Sequence, residues 1–511
     1  MKRSIQQSID NYKQGVAHRT DHTKAPYGAP QLSTSPVIFE HSEKTRAVSY
    51  GGVALIHQLV NQIGLKDALN SVPVFKRKLP YWESDHVLNI AFNTFCGGTA
   101  LEHIEYRRND PTYLDMLGTH SIPDPTTAGD FCRRYSGTDI DLLQDAINNV
   151  RLKVWRRQPP SFFKEARVDI DGSIASTYGE CKQGMDISYN GEWGYHPLIV
   201  SLESTKEILF IKNRSGNRPS HEDAYIYIDK SIALLRKAGF ETIRFRGDTD
   251  FSQTAHLDRW DEQGVFFVFG IDAMKNLKEI ANSLENAEWK RLIRLPKYEV
   301  KTVPLGKREN VKEKIIEERE YRNYVLEHED VAVVNYRPTA CKRDYRLVIL
   351  RKTITVKKGQ KLLLPEIRYF FYITNDCDRS PAEIVFESNA RCNQENLIAQ
   401  LKSGMKALHC PLNTLDANLM YMVCVSLSWS LKAWLALWTA SESNDKERIQ
   451  RRDRLLKMEF PTFLQAMINI PVQILQSGRR TVVRLLSINC WTETFFELVD
   501  SIRGVRCVQR E

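Results

Sequence analysis

The sequence predicts an α/β protein in which a mixed sheet flanked by helices is interrupted by an all-β insertion, with helical N-terminal and C-terminal regions. Three observations predict this fold class. Residues 161–272 alternate extended apolar segments with helical ones, as an α/β core does. Residues 273–378 are dominated by strand signals. Residues 46–160 carry apolar side chains at helical spacing.

The composition is that of a folded protein with several modules. A chain of 511 residues is too long for one compact core. With 42% hydrophobic and 26% charged residues, the composition argues against wholesale disorder. The 72 Lys and Arg against 63 Asp and Glu give a net charge of +9, which favours a polyanionic partner only weakly. The 10 cysteines form no C-x-x-C pair and no zinc-like pairing with histidine, so reduced thiols in a cytosolic protein fit best.

Neither export nor a membrane span is expected. The N-terminus is basic, but no apolar run follows it, which argues against a secretory signal. The long apolar stretch over residues 419–438 is interrupted by serines and by Lys432. We therefore interpret it as a buried amphipathic helix.

The first 160 residues divide into two regions. Residues 1–45 are polar, contain three prolines and lack sustained periodicity, so we expect a flexible arm. Residues 46–160 form a predicted helical domain, with an apolar stripe over 55–63 and a second helix over 84–95.

A basic helix is predicted late in this domain. Residues 123–126 have the form of a capped helix start, and Arg133 and Arg134 follow. Such a helix can enter a groove of nucleic acid. An isolated arginine pair is more often only a solvated surface, so this assignment depends on the rest of the chain.

Beyond residue 160 the pattern becomes α/β. We expect residues 161–272 to form the first part of the core and 273–378 the β-rich insertion, with a charged Lys and Glu segment before its main strands. Residues 379–440 return to helix as the last part of the core, and 441–511 form a basic helical C-terminal region.

Two acids stand at predicted strand ends. In RVDIDGSIAS the strand ends at Asp171, which leaves its carboxylate at the edge of the sheet. Asp169 points to the same face and is the alternative, although the strand-end position favours Asp171. In TIRFRGDTDFS a second strand runs into Asp248. Either acid alone is more often an ordinary turn aspartate.

A third acid lies on a predicted helix between two cations. In NARCNQENLIAQLKSGM, Arg391, Glu395 and Lys402 fall on one face of a continuous helix. A solvated helix with an ion pair has the same spacing. In the functional interpretation, Glu395 binds metal, and Arg391 and Lys402 hold phosphates.

The combination of three acids suits metal-dependent phosphodiester chemistry. Two Mg²⁺ ions about 3.5–4 Å apart activate the attacking oxygen and take up charge on the leaving oxygen. Mg²⁺ prefers hard oxygen ligands, so a few carboxylates from different elements suffice.

With these motifs the chain resembles the DDE transposases of bacterial insertion sequences, in the group with a Y-x2-R-x3-E-x6-K signature. Ser388, Arg391, Glu395 and Lys402 occupy the signature positions, with Ser388 where the family has tyrosine. The strand end Asp171-Gly-Ser resembles the family's Asp-x-Thr/Ser. Arg246-Gly-Asp248-Thr resembles its Arg-x-Asp-Ser, with Asp250 where a glycine often follows. The resemblance covers roughly residues 50–490.

The resemblance implies an RNase H-like core in which Asp171, Asp248 and Glu395 meet at one site for two Mg²⁺ ions, with Mn²⁺ as a substitute. It implies cleavage of the terminal inverted repeats of an element and joining of their 3′ ends to target DNA. Arg391, Lys402, Arg246, Arg133 and Arg134 would contact DNA. We expect a homodimer in the DNA complex, and a cytoplasmic protein that is nucleoid-associated when bound to DNA.

Three further interpretations stay open on sequence alone. The aromatic residues of the insertion suit stacking on a flipped base, but such a run is more often core. A transposase-derived DNA-binding protein that no longer cuts would keep many of the same motifs. A metal-dependent nuclease with the same core would share the metal site, since hydrolysis and strand transfer use the same ions.

Overall fold

The computed structural model describes residues 2–22, 39, 42, 45–75, 80–294, 324–357, 360–439, 446–477 and 480–502. The chain forms two compact units. Met1–Gln158, Ser403–Ala407 and Asp416–Glu511 form the helical unit, and Pro159–Lys402 and Leu408–Leu415 form the sheet unit. The prolines of the predicted arm and most of the predicted charged segment before the main strands lie outside the described residues.

The described helices fall mainly before residue 156 and after residue 380, and most of the strands lie between them. The helices are α1 (Lys2–His22), α2 (Val53–Ile63), α3 (Leu65–Asn70), α4 (Glu83–Phe95), α5 (Ile104–Arg108), α6 (Pro111–Leu117), α7 (Pro125–Cys132), α8 (Gly137–Trp155), α9 (Ala224–Ala238), α10 (Leu257–Glu262), α11 (Lys275–Ser283), α12 (Pro381–Asn389), α13 (Cys392–Ala399), α14 (Leu415–Thr439), α15 (Lys446–Lys457), α16 (Phe460–Phe463) and α17 (Thr492–Ile502).

The strands are β1 (Ala47–Val48), β2 (Glu165–Gly172), β3 (Ala175–Ser176), β4 (Asp186–Ile187), β5 (Trp193–Tyr195), β6 (Leu198–Leu202), β7 (Glu207–Lys212), β8 (Thr242–Gly247), β9 (Val265–Ile271), β10 (Lys290–Arg291), β11 (Tyr324–Tyr336), β12 (Tyr345–Lys357), β13 (Gln360–Thr374), β14 (Val472–Ser477) and β15 (Arg480–Leu485).

The sheet unit is built on one large mixed sheet. Among the described residues its strand order is β10-β11-β12-β13-β9-β8-β2-β6-β7. Strands β2, β8 and β9 are parallel, whereas β6 is antiparallel to β2 and β7 to β6. The long antiparallel strands β11, β12 and β13 continue the same sheet, because β13 pairs with β9. The predicted mixed α/β class is confirmed.

Burial explains why the sequences of the central strands are almost continuously apolar. All five residues of β6 are buried, and six of the seven residues of β9 are. A strand covered on both faces loses the polar alternation of a half-exposed strand. Helix α12 covers part of one face, where Ile384 and Val385 pack against Val268, Val348 and Tyr372.

Helix α14 is the core helix of the helical unit. It is long and apolar enough to span a membrane, but the apolar window is wholly buried in the protein. The prediction of burial is correct and that of an amphipathic helix is wrong, since its polar side chains are buried too. Ser428 Oγ donates to the Ala91 carbonyl at 3.0 Å, and Lys432 Nζ donates to the Leu456 carbonyl at 3.1 Å. Hydrogen bonds to carbonyls thus offset the cost of burying them.

Local structure differs from the sequence predictions at both ends of the chain. Residues 2–22 are helical, where the sequence predicts a flexible arm; this segment contains no proline, which allows α1 to form. The C-terminal region is not wholly helical, because β14 and β15 form a hairpin that pairs with β1. In β14, Val472 and Ile474 are buried while Gln473 and Leu475 are only half-buried, which is the two-residue period of a strand.

Candidate active site

The parallel strands β2 and β8 bring two acids to one edge of the sheet. Asp171 is the penultimate residue of β2, and Asp248 directly follows β8. The register pairs Asp169 with Arg246, two positions before each acid. Because side chains alternate along a strand, the two acids share the face of that pair.

The Asp171 carboxylate lies among other acids. Burial and the charge of Asp248 raise the pKa of Asp171 to about 6, and the charge of Glu395 adds to this. Arg391 and a hydrogen bond from the Gly172 backbone N–H act in the opposite direction. The structure therefore brings the charges of Asp248 and Glu395 close enough to act on Asp171.

Asp248 is held in a tight turn. Its carboxylate accepts a hydrogen bond from the Asp250 N–H at 3.0 Å, and a 3₁₀ turn (Thr249–Phe251) begins there. Burial raises the pKa of Asp248; the charge of Arg391 opposes this, and those of Asp250 and Asp272 add to it.

The segment that carries Glu395 is not one continuous helix, contrary to the prediction. Helix α12 ends at Asn389 and α13 begins at Cys392. A π-helical turn (Gln400–Gly404) then contains Lys402. A π-helix has more residues per turn than an α-helix, so the prediction that Lys402 lies on the same helix face as Arg391 and Glu395 is wrong. The chain bends because α12 packs on the strands around β9, while Gln394 of α13 is buried and donates to the Ile199 carbonyl of β6.

The predicted DNA-contacting cations have different surroundings. Lys402 is exposed. Arg391 is half-buried, and its Nε and Nη1 atoms are buried with no hydrogen-bond partner among the described residues. In the helical unit, Arg133 and Arg134 are exposed; Arg133 pairs with Asp130 at 2.8 Å.

The position of Arg246 contradicts the prediction that it contacts DNA. Its side chain is 2% exposed and forms two hydrogen bonds with the Asp169 carboxylate, at 2.8 and 2.9 Å. A side chain without accessible surface cannot contact a DNA backbone, so the prediction that Arg246 binds DNA is wrong. Both carboxylate oxygens of Asp169, the alternative first acid, are bound by Arg246. Of the two acids on β2, Asp171 therefore has the accessible carboxylate.

A cavity of about 360 Å³ opens beside Asp248. Arg391, Ser388 and Asp272 are among its lining residues, together with the aromatic run from Tyr369 to Tyr372. Within that run Phe371 is 1% exposed and Phe370 is 41% exposed. The run is therefore partly core and partly surface.

Asp272 is a site residue that the sequence reasoning missed. It directly follows β9, lines the cavity beside Asp248 and raises the pKa of that acid through its charge. The signal was available, because VFFVFGID is a third strand that runs into an acid.

The side chains at the sheet edge that carries Asp171 and Asp248 are of a chemical type that binds divalent cations. The donors are carboxylate oxygens, the type that Mg²⁺ and Mn²⁺ prefer. The pKa of Asp171 is raised partly by neighbouring negative charge, which a bound cation would neutralise. Within the described ranges, however, no three His, Cys, Asp or Glu side chains are close enough to hold a metal together as they stand. A closed ligand set would therefore require the acids to move closer together.

Comparison with known proteins gives one extensive match. The family model "Transposase DDE domain group 1" matches residues 37–507. No curated protein matches the chain. Among solved structures, a cryo-EM structure of the piggyBac transposase synaptic complex with hairpin DNA is 9% identical, with 83% of each chain covered and a TM-score of 0.37. That similarity is too low to support any statement about this chain. The family match spans most of the sequence, and the chain therefore belongs to the DDE transposase domain family, group 1.

Proposed function

We propose that this protein is an active DNA transposase that cleaves the ends of an insertion sequence and joins the 3′ ends to target DNA. The observation that carries the proposal is the meeting of Asp171 and Asp248 at adjacent parallel strand ends, with the charge of Glu395 acting on Asp171. The family match supports the same chemistry, because DDE transposase domains generally use divalent metal ions.

We further propose that the core is RNase H-like and that β11 to β13 belong to an insertion within it. The order β7-β6-β2-β8-β9, in which β6 alone runs antiparallel to the other four strands, supports the proposed core. Strands β11 to β13 lie in sequence between the second acid and Glu395 and extend the sheet beyond β9.

In the proposed mechanism, Asp171, Asp248 and Glu395 hold two Mg²⁺ ions, for which Mn²⁺ substitutes. Bound divalent ions activate a water or a 3′-hydroxyl and stabilise charge on the leaving oxygen. Arg391, which is half-buried and lines the cavity beside Asp248, donates to phosphate oxygens next to the acids. The exposed Lys402 binds a neighbouring phosphate as a point charge.

The partners follow from this activity. Double-stranded DNA, both the terminal repeats and the target, is the proposed substrate, and Arg133 and Arg134 are proposed contacts in the helical unit. Cleavage of both ends of an element suits a homodimer in the DNA complex. The proposed location is the cytoplasm, at the nucleoid when DNA is bound.

A nicking assay tests the proposal. Purified protein, DNA carrying the ends of its own element, and Mg²⁺ or Mn²⁺ should give nicked product. Asp248→Ala should abolish nicking and leave DNA binding intact, because it removes a proposed ligand at the surface of the site. Asp378→Ala, which removes an exposed aspartate in the turn after β13, is the matched control and should nick normally.

The outcomes separate the alternatives. Absence of nicking by the unmodified protein, with DNA still bound, identifies an inactive DNA-binding descendant. Cleavage without insertion, when pre-cut ends and a target plasmid are supplied, identifies a nuclease. Nicking that needs no metal or survives Asp248→Ala contradicts the assignment of the site.

A further inference from the structure

Two buried polar side chains lie behind the strand end that carries Asp171. His196 precedes β6, and Arg214 follows β7. They are 4% and 3% exposed. Two hydrogen bonds join them: Arg214 Nε donates to the His196 carbonyl at 2.9 Å, and the His196 N–H donates to the Arg214 carbonyl at 2.8 Å. The two residues therefore form one buried unit, the His196–Arg214 pair.

The Nε and Nη1 atoms of Arg214 donate hydrogen bonds to carbonyls, whereas its Nη2 atom donates to none among the described residues. Its Nη1 donates to the carbonyls of Pro219, Ser220 and Glu222. Its Nη2 is buried and has no hydrogen-bond partner in the part of the chain that the structure describes. Leaving a buried donor unpaired destabilises the folded state, and more so for a charged group. Such a cost calls for a physical explanation.

His196 presents a lone pair on the same side. Its Nδ1 lies 3.0 Å from the Arg218 carbonyl. A carbonyl oxygen only accepts, so Nδ1 carries the hydrogen and Nε2 carries the lone pair in the neutral ring. Burial lowers the pKa of His196, which favours the neutral ring.

His196 Nε2 and Arg214 Nη2 both lie close to Gly172. A Cβ added to Gly172 would lie 2.6 Å from His196 Nε2 and 3.4 Å from Arg214 Nη2. The first distance is too short for any side chain, so the His196–Arg214 pair occupies the space that a larger residue would need. Gly172 directly follows Asp171 in the chain, so its N–H belongs to the peptide group that joins the two residues. The pair is thus connected to that carboxylate through a single peptide group.

We propose that His196 and Arg214 are positioning residues that fix the Gly172 peptide and thereby the orientation of the Asp171 carboxylate toward a bound cation. The inference rests on the proposed function, in which Asp171 is a metal ligand. Groups that orient a ligand typically change metal affinity about 10–100-fold when they are replaced. Replacement of either residue should therefore weaken cation binding by about that factor.

The test is a titration of the purified full-length protein with Mn²⁺ alone, with free Mn²⁺ measured by electron paramagnetic resonance. His196→Asn keeps a donor for the Arg218 carbonyl and removes Nε2, and Arg214→Lys keeps the charge and removes Nη2. Each should raise the Mn²⁺ dissociation constant about tenfold or more. The matched controls His221→Asn and Arg218→Lys alter exposed side chains of the same loop and should leave it unchanged.

Asp171→Asn distinguishes a failure of the proposed function from a failure of the positioning role of His196 and Arg214. If Asp171→Asn leaves Mn²⁺ binding unchanged, the proposed function and the inference both fail. If it abolishes binding while His196→Asn and Arg214→Lys bind as the unmodified protein does, the inference alone fails. Thermal unfolding of each variant is measured alongside. Unfolding of both variants at the titration temperature would overturn the inference, because the pair would then serve the fold rather than the carboxylate.

Discussion

Asp169 and Asp171 lie on the same face of β2, two residues apart, and have opposite surroundings. Asp169 is 1% exposed and bound to Arg246 through both carboxylate oxygens. Asp171 is half-buried beside Asp248, and its pKa is raised to about 6. The charge of Asp169 is thus balanced by Arg246, whereas the Asp171 carboxylate is suited to bind a cation from solution.

The buried Asp169–Arg246 pair leads to a prediction about stability. Arg246→Met should lower the free energy of unfolding by about 3–5 kcal/mol, because it leaves an uncompensated buried carboxylate. Urea denaturation measures this change. The double variant Asp169→Leu/Arg246→Met should recover most of the loss, since neither charge of the pair remains.

DNA binding by the same variants distinguishes this role from the one that the sequence suggested. If Arg246 served the DNA, Arg246→Met would weaken DNA binding while changing the free energy of unfolding by less than about 1 kcal/mol. We expect the reverse, with a large loss of stability and unchanged DNA affinity for the double variant.

At the scale of elements, helix α4 contains a buried histidine. His86 is 3% exposed, stacks on Phe131 with ring centroids 4.5 Å apart, and has a buried Nδ1 without a partner among the described residues. Burial lowers its pKa from 6.5 to about 4. The folded state therefore binds the proton less readily than the unfolded state does. Its stabilising contribution is full above about pH 6.5 and is lost as the pH falls toward about 4.

His86→Phe should remove this pH dependence, because phenylalanine keeps the ring stacking and cannot be protonated. Between about pH 7.5 and about pH 4.5, the unmodified protein should lose about 2–3 kcal/mol more unfolding free energy than the variant. Urea unfolding at the two pH values gives this difference. Equal losses for both proteins would show that His86 is protonated in the folded state.

Strands and helices with strong periodicity could be predicted from the sequence. The predicted helices near residues 55–63 and 84–95 correspond to α2 and α4, and the extended segments around Asp171 and Asp248 correspond to β2 and β8. In each case a buried face imposes the apolar pattern that the sequence carries.

Features that depend on tertiary packing were missed. The break between α12 and α13 follows from packing on different strands, and no proline or glycine marks it in the sequence. The burial of Arg246 depends on its cross-strand neighbour Asp169, whose register no local pattern reveals. Asp272 was overlooked although its strand-end pattern matches that of Asp248.

At the scale of the whole molecule, the net charge of +9 is modest for a protein that binds DNA. Binding should therefore depend on placed cations rather than on a uniformly basic surface. Exposed Lys402 in the sheet unit and exposed Arg133 and Arg134 in the helical unit are the proposed contacts.

Salt dependence tests these contacts. If the protein neutralises about 6–10 phosphates, DNA affinity should fall about 10³–10⁵-fold between about 50 and about 200 mM salt. Lys402→Gln should lower the slope of log affinity against log salt by about 0.9, the value for one phosphate contact. Lys275→Gln, at a side chain that is 93% exposed on α11, is the matched control. Equal slopes for Lys402→Gln and the unmodified protein would remove Lys402 from the interface.

A crystal structure of the protein soaked in Mn²⁺, with anomalous scattering used to locate the ions, shows whether the three acids serve one cation site. We expect anomalous peaks between the carboxylates of Asp171 and Asp248, with Glu395 as a further ligand, and their loss in Asp171→Asn. Peaks elsewhere, or an Asp171 carboxylate that binds no ion at saturating Mn²⁺, would contradict this expectation.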